Sequence, residues 1–406
     1  LEKLNLKIPV LIGGATTSKT HTAVKISPVY SGPVIHVNDA SKAVPVSTSL
    51  LSKNRKIFTN QISDEYDNVR KTFENRKVTK NFISITEARK NRLKLDWDNY
   101  NIPKPNFIGV KEIKIKDLSV LRKYFDWTQF FRSWNLHGIY PDIFKNEVNG
   151  KESKKLFDDA NELLDKIIRE NLLIAKGIFG IFPASSINDD ILVYNNENTN
   201  EVLDKFLTLR QQSKKADGIP NIALSDFIIP SSKNVKDYIG CFCVTAGFGS
   251  DELCQSFEKE NDDYSSIMVK ALADRFAESF AEFLHKEVRI KHWGYSSNEN
   301  FSNDDLIKEK YVGIRPAPGY PACPDHLEKN TIWKLLKVEE KIGVKLTESL
   351  AMWPAASVSG YYFANPNSKY FGLGKIDKDQ VKDYSKRRKI GFKEASKWLN
   401  PNINDI

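Results

Sequence analysis

Apolar residues near the start of the chain form two short runs, at 8–12 and 33–37, and each run is followed by a stretch with helical character, at 20–26 and 41–52. A strand followed by a helix, repeated once, is the pattern of a parallel α/β sheet. A doubly wound sheet has about five strands or more. We therefore expect the earlier strands of this domain to precede Leu1.

The pattern of apolar positions changes after residue 106. Apolar residues at helical spacing predict long helices at 154–170 and 265–288. Alternating or continuous apolar runs predict strands at 110–115, 177–184, 191–194 and 237–245, with the second and third as a hairpin. Hairpin-joined strands in one region with long helices favour an α+β fold with a largely antiparallel sheet.

A polar segment separates the two patterns. Residues 60–76 predict a charged helix, and the stretch that follows is rich in Lys and Asn and contains prolines. Such a composition is typical of a linker. We therefore predict the end of an α/β domain at 1–80, a linker at 81–106 and an α+β domain at 107–406.

The composition is that of an ordinary soluble protein. Of 406 residues, 40% are hydrophobic and 28% are charged, and no apolar run approaches the roughly 20 residues that span a bilayer, so we expect no membrane association. Four cysteines are too few for a disulfide framework, and we find no signal peptide, so we expect a cytoplasmic protein. We expect Cys241 and Cys243 to be buried free thiols, because a metal site needs two further ligands.

The net charge gives only a weak indication of a partner. The formal charge of +9 comes from 61 Lys and Arg against 52 Asp and Glu, spread along the sequence. The densest basic cluster is residues 386–389. We interpret this cluster as a solvated helix face rather than as a nucleic-acid site.

Residues 313–324 have the clearest chemical character. They include four prolines and two glycines, so the segment can neither continue a helix nor form a central strand. A stiff loop with little Cβ obstruction can lie close against a ligand. Arg315 offers a planar fork of donors for a carboxylate, and Tyr320 offers a ring with a hydroxyl group. The alternative is a surface loop without a ligand.

Glycines follow the first apolar run. Residues 13–20 approach the phosphate-binding pattern Gly-x4-Gly-Lys-Thr, but Ser18 stands in place of the second glycine. That glycine lets the backbone wrap a phosphate, so we reject a nucleoside-triphosphatase site. Gly13 and Gly14 form either a tight turn or a space for a bulky ligand at the end of a strand.

Three further positions have a structural and a functional interpretation. Asp126 is either the N-cap of a following helix or a ligand contact. Glu278 lies away from the centre of the apolar stripe of its helix, and it is either solvated or part of a site. Tyr370 and Phe371 line either a pocket or a core.

Several stretches of the chain carry a resemblance when they are taken together. They are residues 12–18 (IGGATTS), 126–128 (DWT), 268–282, 313–324 and 347–354 (TESLAMWP). In this order and spacing they resemble the C-terminal part of cobalamin-dependent methionine synthase. The resemblance extends over nearly the whole chain.

The resemblance implies that the first segment ends a Rossmann-like cobalamin-binding domain. The signature of that domain is Asp-x-His-x-x-Gly, then Ser-x-Leu, then Gly-Gly, and only the last element is present, as Gly13 and Gly14. Ala40 matches a further cobalamin contact. The histidine that replaces the lower ligand of the corrinoid is absent from this chain, so we expect only a partial cobalamin site.

The resemblance implies that the second domain is a reactivation domain that binds S-adenosylmethionine. The Arg-x-x-x-Gly-Tyr motif of the family corresponds to residues 315–320. We assign Arg315 to the ligand carboxylate and Asp126 to its ammonium group, and we expect Tyr320 near the upper face of the corrin. The implied contacts are Asp126, Glu278, Arg315, Ala317, Gly319, Tyr320, Tyr370 and Phe371.

The implied activity is the repair of a methyltransferase. One electron from a flavodoxin-like or diflavin reductase and a methyl group from S-adenosylmethionine convert inert cob(II)alamin to methylcobalamin. The domain contributes orientation, and no side chain needs to act as an acid or base. The implied partners also include the upstream homocysteine and folate modules, without which we expect no methionine synthesis. We expect no nucleic-acid partner.

Two alternatives belong to other function classes. One is a stand-alone S-adenosylmethionine-dependent methyltransferase, but the second domain has no strand followed by a Gly-x-Gly turn and a later acidic residue. The other is a noncatalytic S-adenosylmethionine-binding module. The matched contact residues are all intact, which speaks against a degraded relative.

Overall fold

A computed structural model of the protein describes residues 1–13, 18–37, 40–75 and 82–404. Contacts between residues divide the chain into two compact units, Leu1–Asn81 and Phe82–Ile406. Among the described residues, no helix has both the length and the apolar character that a bilayer crossing requires.

The first unit is built on two parallel strands, β1 (Val10–Gly13) and β2 (Val34–Val37). Its helices are α1 (Lys19–His21), which continues into a π-helical turn at Thr22–Ile26, α2 (Ala40–Leu51) and α3 (Arg55–Asn75). Ile35 and Val37 of β2 are buried in one cluster with Leu50 of α2. The parallel pairing that the two apolar runs predict is confirmed.

The second unit is organised around a six-stranded antiparallel sheet. The strands of this sheet are β3 (Gly109–Ile115), β4 (Ile174–Ile187), β5 (Asp190–Tyr194), β6 (Val202–Leu207), β7 (Asp237–Phe248) and β10 (Ser357–Tyr362). Strands β8 (Lys345–Leu346) and β9 (Met352–Trp353) form a separate two-stranded hairpin. The long strand β4 pairs with β7 on one side and with β3 and then β5 on the other. Strand β10 pairs with the far side of β7. The largely antiparallel sheet that the sequence predicts is confirmed.

Helices cover both faces of this sheet. They are α4 (Ile85–Lys90), α5 (Ser119–Arg122), α6 (Trp127–Ser133), α7 (Gly150–Glu170), α8 (Ser250–Lys259), α9 (Asp263–Glu287), α10 (Asn303–Ile307), α11 (Glu328–Leu336), α12 (Val338–Ile342), α13 (Lys378–Arg388) and α14 (Phe392–Leu399). Successive strand residues point to opposite faces. Phe179 and Phe242 therefore pack with α7 and α9, whereas Ile178 and Cys243 pack with α11 and α12. Both Cys241 and Cys243 are buried free thiols, as expected.

Most of the residues that the composition indicates as a linker, 81–106, lie instead within the second unit. Ser84 caps α4 through a capping box with Glu87. Arg89 pairs with Asp189 at 2.7 Å and with Asp383 at 2.6 Å. These carboxylates are 100 and 294 positions further along the chain. The linker interpretation was wrong because the carboxylates that bind this segment to the second unit are remote from it in sequence.

The two arginines of the basic cluster at residues 386–389 are not solvated. The side chains of Arg387 and Arg388 are only 14% and 15% exposed. Arg387 pairs with Asp383 at 2.8 Å, and Arg388 pairs with Asp325 at 2.9 Å. These ion pairs use the charge of the cluster to attach α13 to the rest of the second unit, which corrects the interpretation from sequence.

Arg210, which follows β6, is fully buried and is the centre of an ion-pair network. Its Nε donates to Asp189 at 2.8 Å, and Nη1 and Nη2 each donate to Asp226 at 2.7 Å. Asp189 also accepts from Arg89 of α4. The side-chain amide of Gln380 accepts from the backbone N–H of Arg210 at 2.7 Å and donates to its carbonyl at 2.9 Å. The network therefore joins α4 and α13 to the segment beyond β6.

Candidate functional site

Residues 313–324 run along the edge of β10 that does not face β7. The Ile314 amide donates to the Phe363 carbonyl at 3.1 Å, and the Phe363 amide donates back at 3.0 Å. The Tyr361 amide donates to the Pro316 carbonyl at 2.9 Å. The segment forms isolated bridges but no helix or strand, so the predicted loop is confirmed.

Two adjoining cavities lie between this loop, α9 and the segment that follows β10. One, the apolar cavity, has a volume of about 460 Å³ and mainly apolar walls, and the other, the polar cavity, has a volume of about 510 Å³ and more polar walls. Both are lined by Glu278, Glu309, Arg315 and Tyr320. The apolar cavity is also lined by Phe242, Pro316, Ala317, Pro321, Ala322, Val358, Tyr370 and Phe371. The polar cavity is also lined by Tyr124, Asp126, Gln129, Arg275, Ser279, Glu282, Leu306 and Ile307.

The structure brings together most of the residues that the sequence analysis selected. The selected residues on the cavity walls are Asp126, Glu278, Arg315, Ala317, Tyr320, Tyr370 and Phe371. Gly319 lies in the loop beside them and is not one of the lining residues. The cavities therefore join three regions of the chain, near residues 126, 278 and 315–371, that are far apart in sequence.

Asp126 has the first of the two roles that its sequence position allows. It is the N-cap of α6, and its Oδ1 accepts from the amides of Thr128 at 2.9 Å and Gln129 at 3.3 Å. It also lines the polar cavity. The cap fixes the side chain at the helix N-terminus, so the carboxylate is held in place beside the cavity.

Arg315 is bound to the protein through one end of its guanidinium group. Its Nη1 lies 2.6 Å from Oε2 of Glu282 and 3.3 Å from both Nδ1 of His285 and the hydroxyl of Tyr311. Its backbone amide donates to the hydroxyl of Tyr370 at 3.0 Å. The loop and the guanidinium are therefore fixed by separate contacts.

Burial and charge shift the pKa values of several groups here. Burial raises the pKa of the Glu278 carboxyl and of the Glu309 carboxyl, and Arg315 partly opposes both shifts. Burial, together with Arg289 and Arg315, lowers the pKa of His285 well below its usual value. His285 is then neutral near pH 7, and its Nδ1 accepts the bond from Arg315. Two carboxyls with raised pKa values favour a cationic ligand, because a nearby positive charge stabilises their ionised form.

Sequence reasoning missed several residues of the site. Glu282 lies four positions after Glu278 on α9, so the two share one helix face, and this spacing was a usable signal. Phe242 and Val358 are brought to the apolar cavity by the pairing of β7 with β10. No local pattern indicates that pairing. Glu309 follows the short helix α10 and has no motif of its own.

Gly319 adopts a backbone conformation that other residues rarely adopt. Its φ is +97°, and an added Cβ would lie 2.3 Å from Cε1 of His326. We expect Gly319→Ala to lower the free energy of unfolding by at least about 1–2 kcal/mol, the cost of left-handed backbone with a Cβ. Urea unfolding followed by tryptophan fluorescence measures this change.

Gly372→Ala is the matched control for this substitution. Gly372 follows Phe371 on the wall of the apolar cavity, and an added Cβ there meets nothing within 4 Å. We expect Gly372→Ala to change the free energy of unfolding by less than about 1 kcal/mol. Equal losses for the two variants would contradict the role given to the Gly319 backbone.

The positions implied for cobalamin lie in the first unit. Gly13 ends β1, where an added Cβ would lie 3.0 Å from the carbonyl oxygen of Val37. Gly14 lies outside the described residues, and Ala40 begins α2. Within the described part of the chain, no group of three His, Cys, Asp or Glu side chains is arranged to hold a metal ion.

Comparisons with known proteins match the second unit. The sequence model of a family described as "Vitamin B12 dependent methionine synthase, activation domain" matches residues 117–389. The chain is also similar to a crystal structure of the MetH reactivation domain bound to AdoHcy. The two are 49% identical, the match covers 80% of this chain and 99% of that one, and the TM-score is 0.78. The residues matched by the family model include both cavities and the loop between them.

Proposed function

Because this chain belongs to the vitamin B12-dependent methionine synthase activation-domain family, we propose that its second unit binds S-adenosylmethionine and supports the reductive methylation of cobalamin. One observation carries the proposal. Arg315, Glu278 and Asp126 meet at two adjoining cavities, one apolar and one polar, which together suit a ligand with a nucleoside and an amino-acid end.

We assign the nucleoside to the apolar cavity and the amino acid to the polar cavity. Aromatic and proline side chains such as Phe371 and Pro316 offer flat apolar contact to a base. In the polar cavity, Arg315 suits the ligand carboxylate and Asp126 suits the ammonium group. The similar crystal structure is of a domain bound to AdoHcy, a ligand that has both a nucleoside and an amino-acid end.

Glu278 and Glu309 line both cavities, where the sulfur of such a ligand would lie. A sulfonium ion there would compensate the two carboxylates and reverse the rise in their pKa values. The site therefore favours the charged methyl donor over its neutral demethylated product. Neither carboxylate needs to act as an acid or base.

The corrinoid contact proposed for the first unit, at Gly13, rests on the family resemblance. Gly13 stands at the carboxyl end of β1, and an added Cβ would lie 3.0 Å from the carbonyl oxygen of Val37, so the close approach of β2 already accounts for a glycine there. When bound, the corrinoid supplies the cobalt that accepts the methyl group. The second unit contributes the orientation of the methyl donor, with Tyr320, 58% exposed, at the opening.

The remaining partners follow from the same proposal. We propose that the first unit is the end of a cobalamin-binding domain and that upstream modules supply homocysteine and methyltetrahydrofolate. We also propose a flavodoxin-like or diflavin electron donor and a cytoplasmic location. The chain is then one module of a methyltransferase and does not make methionine alone.

A reconstitution tests the proposed function. The 406-residue chain is mixed with a separately produced cobalamin-binding domain, S-adenosylmethionine and a one-electron reductant, and the corrinoid absorption spectrum is recorded. We expect methylation of the corrinoid that depends on both the chain and S-adenosylmethionine. Binding without methylation, or transfer of the methyl group to another acceptor, would contradict the proposal.

A further inference from the structure

We infer that Glu282 is a positioning residue, which acts through Arg315 to orient its guanidinium group toward the carboxylate of the ligand. The inference rests on the proposed function, since it concerns the amino-acid end of an S-adenosyl ligand. Glu282 was not selected from the sequence.

The contacts of Arg315 show how one end of the group is fixed. Its Nη1 has three contacts, which are an ion pair with Oε2 of Glu282 at 2.6 Å and hydrogen bonds of 3.3 Å to Nδ1 of His285 and to the hydroxyl of Tyr311. Within residues 82–404, no bond is found to Nε or Nη2. A guanidinium is planar, so fixing Nη1 restricts the whole fork. The two remaining donors are then available to a ligand carboxylate.

Glu282 is itself held from the opposite side. Its side chain is 10% exposed, and its Oε1 lies 4.0 Å from Nη2 of the fully buried Arg289. Arg289 is anchored by two hydrogen bonds of 2.7 Å to Glu299, and its guanidinium carbon lies 4.1 Å from the centre of the Tyr311 ring. Glu282 therefore lies between two arginines, and turning away would leave Arg315 without its ion-pair partner, whereas Arg289 would keep Glu299.

This arrangement decides between two roles for Glu282. A carboxylate that only competed with the ligand for Arg315 would weaken binding, so its removal would strengthen it. A carboxylate that orients Arg315 strengthens binding, because the fork is already aligned when the ligand arrives. The ion pair and two hydrogen bonds of Nη1, together with the unused donors at the other end, support the second role.

Glu282→Gln tests the inference, because it removes the charge and preserves the shape. Isothermal titration of the full chain is performed with AdoHcy and with 5′-methylthioadenosine, which has the nucleoside and sulfur but no amino-acid end. We expect the dissociation constant of AdoHcy to rise about tenfold, the effect of one charge-assisted bond. We expect that of 5′-methylthioadenosine to stay within about twofold. Glu287 lies on the same helix as Glu282 and its carboxylate pairs with Lys291. Glu287→Gln should therefore change neither dissociation constant.

The other outcomes overturn the inference. Equal weakening of the two ligands would indicate a general structural role, and unchanged or tighter AdoHcy binding would exclude positioning. In an Arg315→Ala background, Glu282→Gln should have no further effect on AdoHcy, and an independent effect would also exclude action through Arg315. If the unaltered chain binds no AdoHcy, the proposed function fails instead.

A second variant covers the case in which Glu282→Gln does not fold. Tyr311→Phe removes one acceptor from Nη1 and retains the ring beside Arg289. We expect AdoHcy to bind about threefold more weakly, the effect of a neutral hydrogen bond, with no change for 5′-methylthioadenosine. An unchanged dissociation constant for AdoHcy in this variant would overturn the inference.

Discussion

Replacing Arg315 with alanine is expected to raise the dissociation constant for S-adenosylmethionine between about tenfold and about a hundredfold. A hydrogen bond to a charged group contributes roughly 1.5–3 kcal/mol, and each 1.4 kcal/mol is a factor of about ten. The guanidinium lies at the boundary of both cavities, where its loss also leaves Glu282 without its 2.6 Å partner. Isothermal titration of the full chain measures the change.

Two variants control this result. Arg122→Ala removes a partly exposed arginine of α5 that pairs with Asp165 at 2.5 Å, and it should leave the affinity unchanged. Arg315→Lys preserves the charge but loses the planar fork, so we expect an intermediate loss. An affinity for Arg315→Ala within about threefold of the unaltered chain would contradict the assignment of this residue to the carboxylate.

The largest stability effect is expected for Arg210→Met. Its side chain is fully buried and bonds to Asp189 and Asp226. Methionine fills a similar space but leaves the buried Asp226 without its cation and leaves Asp189 with Arg89 alone. Breaking a buried ion pair in this way costs about 3–5 kcal/mol. Urea unfolding should therefore show a clearly lower transition midpoint for the second unit.

Arg122→Met is the matched control, since it breaks an exposed ion pair of the same kind. Such pairs contribute less than about 1 kcal/mol. If Arg210→Met lowers the stability of the second unit no more than Arg122→Met does, other groups must compensate the charge of the two buried aspartates. The network around Arg210 would then not explain how α4 and α13 are attached.

Local patterns were sufficient for much of the fold. The apolar runs of the first unit, the long helix α9 and the largely antiparallel sheet follow from hydrophobic periodicity, and the loop follows from its prolines and glycines. The path of β4 was only partly predictable, because it extends to Ile187 and pairs with three strands. Which strands meet is decided by contacts between residues remote in sequence.

The same limit applies to charged residues. The segment before β3 was interpreted as a linker and the cluster at 386–389 as a solvated face, since both are rich in charge. In each case arginines such as Arg89 and Arg388 are bound to carboxylates more than sixty positions away. A sequence shows the charge but not its partner.

The position of Arg315 illustrates how far such reasoning reaches in the site. Its fork and its place in a stiff loop were visible in the sequence, and so was its suitability for a carboxylate. Its partner Glu282 was within reach of helical spacing from Glu278, but the contacts of Nη1 with His285 and Tyr311 depend on how α9 packs against the loop. The assignment of these residues to a ligand remains our proposal.

The loop at 313–324 also has a consequence for the behaviour of the protein in solution. An open strand edge is a template on which other chains can add and aggregate. The edge of β10 is covered by this loop through Ile314 and Pro316, and Pro316 and Pro318 have no N–H group to offer an incoming strand. Substitutions that loosen the loop should therefore promote self-association as well as weaken ligand binding, because the segment that forms the site also covers the edge of the sheet.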